Sequence, residues 1–90
     1  MTIWKFALDV TDVQVIVMPK VNRPLTVQMQ AGIPCYWAVV DESTPAIQVT
    51  IRTFGTGHPG MSGEMLYLGT YQLKGGTLVF HVFADGWTEI

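Results

Sequence analysis

The sequence predicts an all-β protein, and three observations support this prediction. Apolar residues recur with a period of two in WKFALDV, LTVQMQ and IQVTIRTF, the pattern of half-buried antiparallel strands with one wet face. Turn signals rich in glycine and proline separate the runs. No window of about eleven residues shows the 3.6 spacing of an amphipathic helix. We expect a small antiparallel meander of six to seven strands, closed as a barrel or folded as a sandwich.

The strands follow one another along the chain. In WKFALDV, Trp4, Phe6 and Leu8 share one face. In IQVTIRTF the residues that share the apolar face are Ile47, Val49 and Ile51. Four further segments are apolar on both faces: VQVIVM, CYWAVV, MLYLGTY and TLVFHVF. Such a segment is either a central strand or a strand whose second face meets another subunit.

Turn residues predict where the strands end. AGIP and DESTPA each separate two strand patterns, and KGG between YQL and TLVFHVF is a strong hairpin signal because glycine accepts positive φ. Pro19 and Pro24 bracket KVNR, which we expect to be a loop.

Length and composition indicate one globular domain spanning residues 1–90. Of the 90 residues, 49% are hydrophobic and only 13% are charged, so some apolar surface is expected to remain uncovered. We therefore expect a homo-oligomer. Residues 85–90, which include Trp87, are expected to form a tail that is flexible or docks on a neighbouring subunit.

The charges disfavour direct binding to duplex DNA. The net charge is −2, and the five basic residues are scattered along the chain rather than clustered into a phosphate-binding footprint. The start of the sequence lacks a basic leader, and no apolar run approaches a membrane span. We expect a soluble intracellular protein with no membrane contact. Cys35, the single cysteine, lies in an apolar run and is expected to be a small buried side chain.

The segment GTGHPGMSG contains a literal G-x-G-x-x-G at Gly55, Gly57 and Gly60. A dinucleotide fingerprint requires a helix after the glycines, but Pro59 and Gly63 interrupt the following residues and MLYLGTYQL resumes as strand. We reject the dinucleotide-binding interpretation. The segment is either a wide hairpin connection or an anion-binding loop whose backbone N–H groups form a nest.

The sequence lacks residues in the arrangement that an enzyme active site or a metal site requires. Cys35 is expected to be desolvated and inert, and Ser62 is not in a nucleophile elbow. Asp41 and Glu42 are adjacent in a turn, so their carboxylates point apart. Neither His58 nor His81 has ligands at zinc-site spacing, and His81 is expected to be a buried or interface histidine with one hydrogen-bond partner. We predict no enzyme activity, no cofactor and no metal.

The segments IWKFALDVTDVQVIVMP, VQMQAGIPCYWAVVD, FGTGHP and GTYQLKGGTLVFHVF, in this order, resemble a family of short proteins of tailed phages and prophage regions. That family is a domain of unknown function. The resemblance implies a phage-type accessory protein and supplies no catalytic residues.

Small phage proteins of this kind often bind and block a host component, so we expect a non-enzymatic, host-directed anti-defence inhibitor. It would bind a host protein or sequester a small nucleotide-like ligand. The candidate ligand-binding residues are Gly55, Thr56, Gly57, His58, Arg52, Tyr36 and Trp37, with an aromatic ring for base stacking and the arginine for phosphate. The alternative is a phage structural or replication accessory protein that acts only through assembly.

Overall fold

The computed structural model describes all residues from Met1 to Ile90. It contains seven β-strands and one short 3₁₀ turn at Lys74–Gly76. The strands are β1 (Thr2–Ala7), β2 (Val13–Pro19), β3 (Asn22–Gln30), β4 (Ile33–Val40), β5 (Ala46–Gly55), β6 (Leu66–Leu73) and β7 (Leu78–Glu89).

The strands form two antiparallel sheets, one ordered β1-β4-β3 and the other β2-β5-β7-β6. The all-β prediction is therefore confirmed, with seven strands in two sheets rather than a closed barrel. The outer strands β1, β3, β2 and β6 each have a neighbour on one side only within their sheet.

The core lies between the two sheets, and the period-two pattern predicted its members correctly on β5. Ile47, Val49 and Ile51 are all buried, whereas Gln48 is exposed. The remaining core side chains come from both sheets and are joined in one cluster: Leu8, Ile16, Met18, Val27, Tyr36, Ala38, Val40, Leu68, Tyr71 and Val82. Cys35 is buried, as expected.

The two sheets come into close contact where β3 meets β6. An ideal Cβ built on Gly69 would lie 2.7 Å from Val27 Cβ and 2.9 Å from Val27 N. Gly69 also adjoins an irregularity in the β6–β7 pairing, between Tyr67 and Gly69. The absence of a side chain at Gly69 is what allows the two strands to pack this closely.

Several predicted boundaries are wrong by a few residues. KVNR is not a loop: β2 ends at Pro19 and β3 begins at Asn22, so Lys20 and Val21 alone connect them. Pro24 lies within β3, an edge strand, next to a β-bulge, and these are positions that accept a residue without an N–H.

The AGIP turn is tighter than predicted, because Ile33 and Pro34 already belong to β4. Ala31 and Gly32 alone make the turn, with φ of 50° and 80°. Two consecutive positive φ values are those of a type I′ hairpin, whose twist matches that of the flanking strands.

Residues 85–90 are not a loose tail. Residues 85–89 are the end of β7, where Trp87 pairs with Val49 and Glu89 pairs with Ile47 on β5. The Lys20 ammonium lies 5.0 Å from the centre of the Trp87 ring and 3.1 Å from the Glu89 carboxylate. The segment pairs with β5 of its own sheet.

Candidate functional site

The outer face of the β2-β5-β7-β6 sheet carries the main cluster of aromatic side chains outside the core. On β7, Phe83 lies opposite Arg52 of β5 and Tyr67 of β6, so the three side chains form a row across the sheet. The Phe83 ring centre is 6.0 Å from that of Phe54 and 5.5 Å from that of Tyr67, both in edge-to-face geometry. Met61, which is 50% exposed, lines a shallow cavity with Phe54 and Phe83. We call Phe54, Met61, Tyr67 and Phe83 the aromatic patch.

His81 lies beside this patch and is held by two hydroxyl groups. Thr56 Oγ1 is 2.7 Å from His81 Nε2, and Thr70 Oγ1 is 3.0 Å from His81 Nδ1. The Tyr67 hydroxyl is 2.6 Å from Thr70 Oγ1 and extends the chain of hydrogen bonds across β6. A neutral imidazole donates through one nitrogen and accepts through the other, and hydroxyl groups can satisfy either requirement. The network fixes the ring plane of His81 and connects the glycine loop to β6.

This arrangement includes a hydroxyl next to an imidazole, as in a nucleophile–base pair, but it lacks the usual third group. In serine hydrolases a carboxylate orients the histidine and stabilises the imidazolium that forms during reaction. Here the second imidazole nitrogen contacts the hydroxyl of Thr70. A neutral hydroxyl cannot supply the same electrostatic stabilisation, so the network is better suited to positioning side chains than to proton transfer.

The glycine loop begins at the end of β5 and is tied to the sheet by its own backbone. The Thr56 N–H donates to the Val79 carbonyl at 3.2 Å, and the His58 N–H donates to the Gly55 carbonyl at 3.0 Å. The His58 ring packs directly on Gly55, where an added Cβ would lie 2.7 Å from His58 Cε1. Gly57 has a φ of 87°, which favours glycine. Two N–H groups of this turn are therefore used internally, which weakens the anion-nest interpretation.

Arg52 and His58 line a cavity of about 490 Å³ between β5 and the loop that follows it. The Arg52 guanidinium is held by the Asp85 carboxylate, with Nε 2.5 Å from Oδ2. Asp12 also lines this cavity. Two acidic residues thus line the cavity beside one arginine, and this charge balance disfavours a polyanionic ligand unless Arg52 leaves Asp85. We call this space the Arg52 cavity.

The structure does not bring the two candidate aromatic residues to the glycine loop. Tyr36 is 2% exposed, its ring centre lies 5.8 Å from that of Phe6, and burial raises the pKa of its hydroxyl to about 12. Trp37 is half-buried on the outer face of the other sheet, paired with Lys5 and Thr26. Tyr36 is therefore the inward-facing residue of the pair and is not available for stacking, whereas the outward-facing Trp37 lies on the opposite side of the sandwich from the aromatic patch.

Sequence analysis identified Arg52, Thr56 and the loop glycines but missed their neighbours Tyr67, Thr70 and Phe83. One signal was available. The KGG turn places Leu73 opposite Leu78, and counting back along the two strands pairs Thr70 with His81. The Arg52–Asp85 pair offered no such signal because it depends on β5 pairing with β7, which are distant in sequence.

No three His, Cys, Asp or Glu side chains come together in a way that could hold a metal ion. The chain also contains no helix with the length and apolar character needed to span a bilayer.

Fold and site together define a small all-β protein of two antiparallel sheets, with an aromatic outer face and a polar cavity beside it. Residues 1–89 match the family described as Domain of unknown function (DUF7352), and the chain belongs to this family. The match also includes Lys20–Pro24 and Ser43–Ala46, which the quoted motifs do not cover. Neither the curated proteins nor the solved structures contain a match to the chain.

Proposed function

We propose that this chain is a non-enzymatic binding protein that contacts a partner protein through the aromatic patch. The observation that supports this proposal is the exposure of large apolar side chains on the outer face of a sheet and on the loop beside it. Tyr67 of β6 is 55% exposed, and Met61 of the loop between β5 and β6 is 50% exposed. The outer face of a half-buried antiparallel sheet is normally polar. Contiguous apolar surface marks an interaction site, and tyrosine, phenylalanine and methionine are enriched at the centres of protein interfaces.

Tyr67 and Phe83 of the aromatic patch are held in place, which favours binding. The Tyr67 hydroxyl is tied to Thr70 and through it to His81, and the Tyr67 ring is packed edge-on against Phe83. Side chains already fixed in one rotamer lose little conformational entropy when a partner binds. The hydrogen-bond network on this face therefore prepares the patch for binding and has no catalytic role in the proposal.

The charges beside the patch indicate the chemistry of the partner. Arg52 and Asp85 neutralise each other, whereas the Asp12 carboxylate makes no hydrogen bond or ion pair within the chain. A complementary surface is apolar at its centre and bears a lysine or arginine near Asp12. A folded protein with such a surface is the partner that we propose.

The biological setting of this proposal rests on the sequence resemblance. We propose a phage-type protein of the host cytoplasm that blocks a host component, including a defence system, by occupying this surface. A structural or replication accessory protein would use the same patch for assembly with other phage proteins, and the identity of the bound protein distinguishes the two.

A second candidate function, sequestration of a small nucleotide-like ligand, is favoured by one observation, the Arg52 cavity. Its volume of about 490 Å³ lies within the range of small-molecule sites. Binding a phosphate there requires Arg52 to exchange Asp85 for the ligand. We place this function second because two acidic residues line the cavity and its only basic side chains are Arg52 and His58.

Site-specific photo-cross-linking tests the proposal. A photoreactive phenylalanine analogue replaces Tyr67 in one variant and Ile33, which is 49% exposed on the other sheet, in a matched control. We expect a discrete cross-linked protein from position 67 and none from position 33. The captured protein, once purified, should bind the wild-type chain and bind a Tyr67→Ala variant more weakly. Equal cross-linking from both positions would contradict the proposal.

Native mass spectrometry of the freshly purified chain separates the two candidate functions. A co-purified mass in the nucleotide range that disappears in an Arg52→Ala variant would assign the activity to the Arg52 cavity instead of the patch. A particle without added mass is expected if the chain acts by protein contact.

A further inference from the structure

Strand β2 is an edge strand that carries no charge and exposes apolar side chains. Its sequence is VQVIVMP, and Val13, Val15 and Val17 are 46%, 56% and 51% exposed on the outer face of the sheet. The sequence left two interpretations of this segment, a central strand or a strand whose second face meets another subunit. Its position at the edge of the sheet excludes the first.

The backbone of β2 offers a row of unpaired hydrogen-bonding groups. The Thr53 N–H donates to the Asp12 carbonyl, and the Lys20 N–H donates to the Pro45 carbonyl. Even-numbered residues of β2 therefore direct their backbone groups toward β5, and Val13, Val15 and Val17 direct theirs away from it. No strand pairs with β2 on that side. The free edge thus presents an N–H and a C=O from each of the three valines.

The other three edges are protected, which makes β2 the exception. Strand β1 carries the exposed Lys5 at its middle, a charged side chain of the kind that discourages pairing with another strand. Strands β3 and β6 pack against each other through Val27 and Gly69. Strand β2 has neither form of protection, and an exposed, uncharged, apolar edge is a template for strand addition.

We propose that two copies of this chain pair through β2, antiparallel and about a two-fold axis at Val15. Val15 then faces Val15 of the partner subunit, and Val13 faces Val17 of the partner subunit. This register uses the N–H and C=O groups of all three valines on both chains and leaves Pro19, which has no N–H, outside the hydrogen-bonded set. A continuous eight-stranded sheet results, with the order β6-β7-β5-β2 followed by its symmetric copy.

A second copy is the occupant that fits this edge because the register is self-complementary. Asp12 lies opposite Met18 of the partner subunit, so no like charges face each other across the seam. Asp12 lies diagonal to Lys20 of the partner subunit, so opposite charges approach each other twice across the seam by symmetry. To contact Asp12 directly, Lys20 would exchange the Glu89 carboxylate of its own chain, which lies 3.1 Å from its ammonium. The valines of both chains form one apolar row along the seam.

The pairing involves a different strand from the aromatic patch and holds whether or not the patch binds a partner protein. It would place two aromatic patches on the same face of one sheet. A partner with two binding sites could then engage both patches, with the gain in avidity that linked sites give.

Mass measurement of the full chain at several concentrations provides the first test, because the protomer has a mass of 10.0 kDa. We expect the wild type to have twice the protomer mass and a Val15→Lys variant, which opposes two ammonium groups at the axis, to have the protomer mass. Ile33→Lys on the other sheet is the matched control and should remain a dimer. Circular dichroism checks that the variants are folded, which is expected because both positions are exposed.

Cysteine cross-linking tests the register independently of the lysine variants. In a Val15→Cys variant the two new thiols belong to directly opposed residues, whose Cα atoms are about 5.5 Å apart and within disulfide range. In a Val17→Cys variant the equivalent residues are four positions apart along the seam, about 13 Å. We expect rapid disulfide formation for Val15→Cys and little for Val17→Cys.

Three results would overturn the proposal: a wild-type chain that stays monomeric, a Val15→Lys variant that stays dimeric, or equal cross-linking of the two cysteine variants. A monomeric chain whose Val15→Lys variant loses a partner protein would assign this edge to that protein and would also overturn self-pairing.

Discussion

Replacing Gly69 with alanine should destabilise the protein because it places a methyl group where β6 touches β3. The added Cβ would lie 2.7 Å from Val27 Cβ and 2.9 Å from Val27 N. A comfortable contact between carbon atoms is about 3.5–4.0 Å, so the two strands must separate by roughly 0.8 Å or more. A backbone nitrogen cannot move aside by changing a rotamer, and the displacement must therefore be shared by both sheets.

The expected magnitude follows from this geometry. Overpacking of a tight core costs about 1–3 kcal/mol, and the backbone contact places Gly69→Ala toward the upper end. The lower entropy of unfolded alanine returns about 0.4–1 kcal/mol. We expect a net loss of about 2 kcal/mol in the free energy of unfolding. For a domain of this size, that corresponds to a fall in Tm of about 8–16 °C.

Urea unfolding followed by tryptophan fluorescence, with calorimetry for Tm, measures this loss. All variants are compared at one protein concentration, because association shifts the apparent stability. Gly63→Ala is the matched control: no atom lies within 4 Å of its added Cβ and its φ is not positive. We expect the control to lie within about 0.5 kcal/mol of the wild type. A Gly69→Ala variant as stable as Gly63→Ala would refute the claim that β6 packs too closely against β3 at Gly69 to accept a side chain.

Three further substitutions test individual features of the fold. The Tyr71 hydroxyl is buried with no hydrogen-bond partner, and burial raises the pKa of this group. Tyr71→Phe should therefore raise the free energy of unfolding by about 1 kcal/mol. A loss of stability in urea unfolding would contradict this. Ala31 has a φ of 50° at the first turn position, so Ala31→Asn should raise Tm by relieving a left-handed conformation that costs alanine about 1 kcal/mol; an unchanged or lower Tm would count against the type I′ assignment. Hydrogen bonds from the Ser43 hydroxyl and N–H hold the pKa of the Asp41 carboxyl below its usual value. A carboxyl whose pKa is lower in the folded state stabilises the protein above its unfolded pKa, and this stability is lost as the pH falls through the folded pKa. Ser43→Ala should therefore destabilise the protein at neutral pH and progressively less in acid. A difference in the free energy of unfolding between Ser43→Ala and wild type that does not change with pH would show that the Asp41 carboxylate does not cause the loss of stability.

The strands and their buried faces could be predicted because they depend on local pattern. Alternation in IQVTIRTF placed Ile47, Val49 and Ile51 in the core, and all three are buried. The KGG signal located the β6–β7 hairpin because glycine accepts the positive φ found at Gly75 and Gly76. These features require only neighbouring residues and the geometry of a turn.

Sheet order could not be predicted in the same way because it depends on contacts between distant residues. Strand β7 inserts between β5 and β6, so residues 85–89 extend along β5 instead of forming a tail. For the same reason VQVIVM is an edge strand although its composition is equally typical of a central one. Hydrophobicity alone cannot separate these positions, since an edge strand and a central strand can both carry apolar side chains on both faces.

The candidate residues divide between two cavities. Arg52 and His58 line one, whereas Gly55, Thr56 and Gly57 line a second cavity that His58 also lines. Tyr36 and Trp37 point to opposite faces, as alternation requires, but the sequence did not indicate that their strand belongs to the other sheet. The aromatic patch combines residues from β5, its following loop, β6 and β7, and this combination exists only after the sheet has formed.

The affinity of the captured partner protein for two alanine variants tests the central claim, that the aromatic patch binds protein, most directly. Titration calorimetry with purified partner compares wild type, Tyr67→Ala on the patch and Ile33→Ala on the opposite sheet, both at positions about half exposed. Truncating an aromatic residue at the centre of an interface typically costs 2 kcal/mol or more, a weakening of about 30-fold. We predict this loss for Tyr67→Ala and wild-type affinity for Ile33→Ala. Equal affinities for the two variants would contradict the claim.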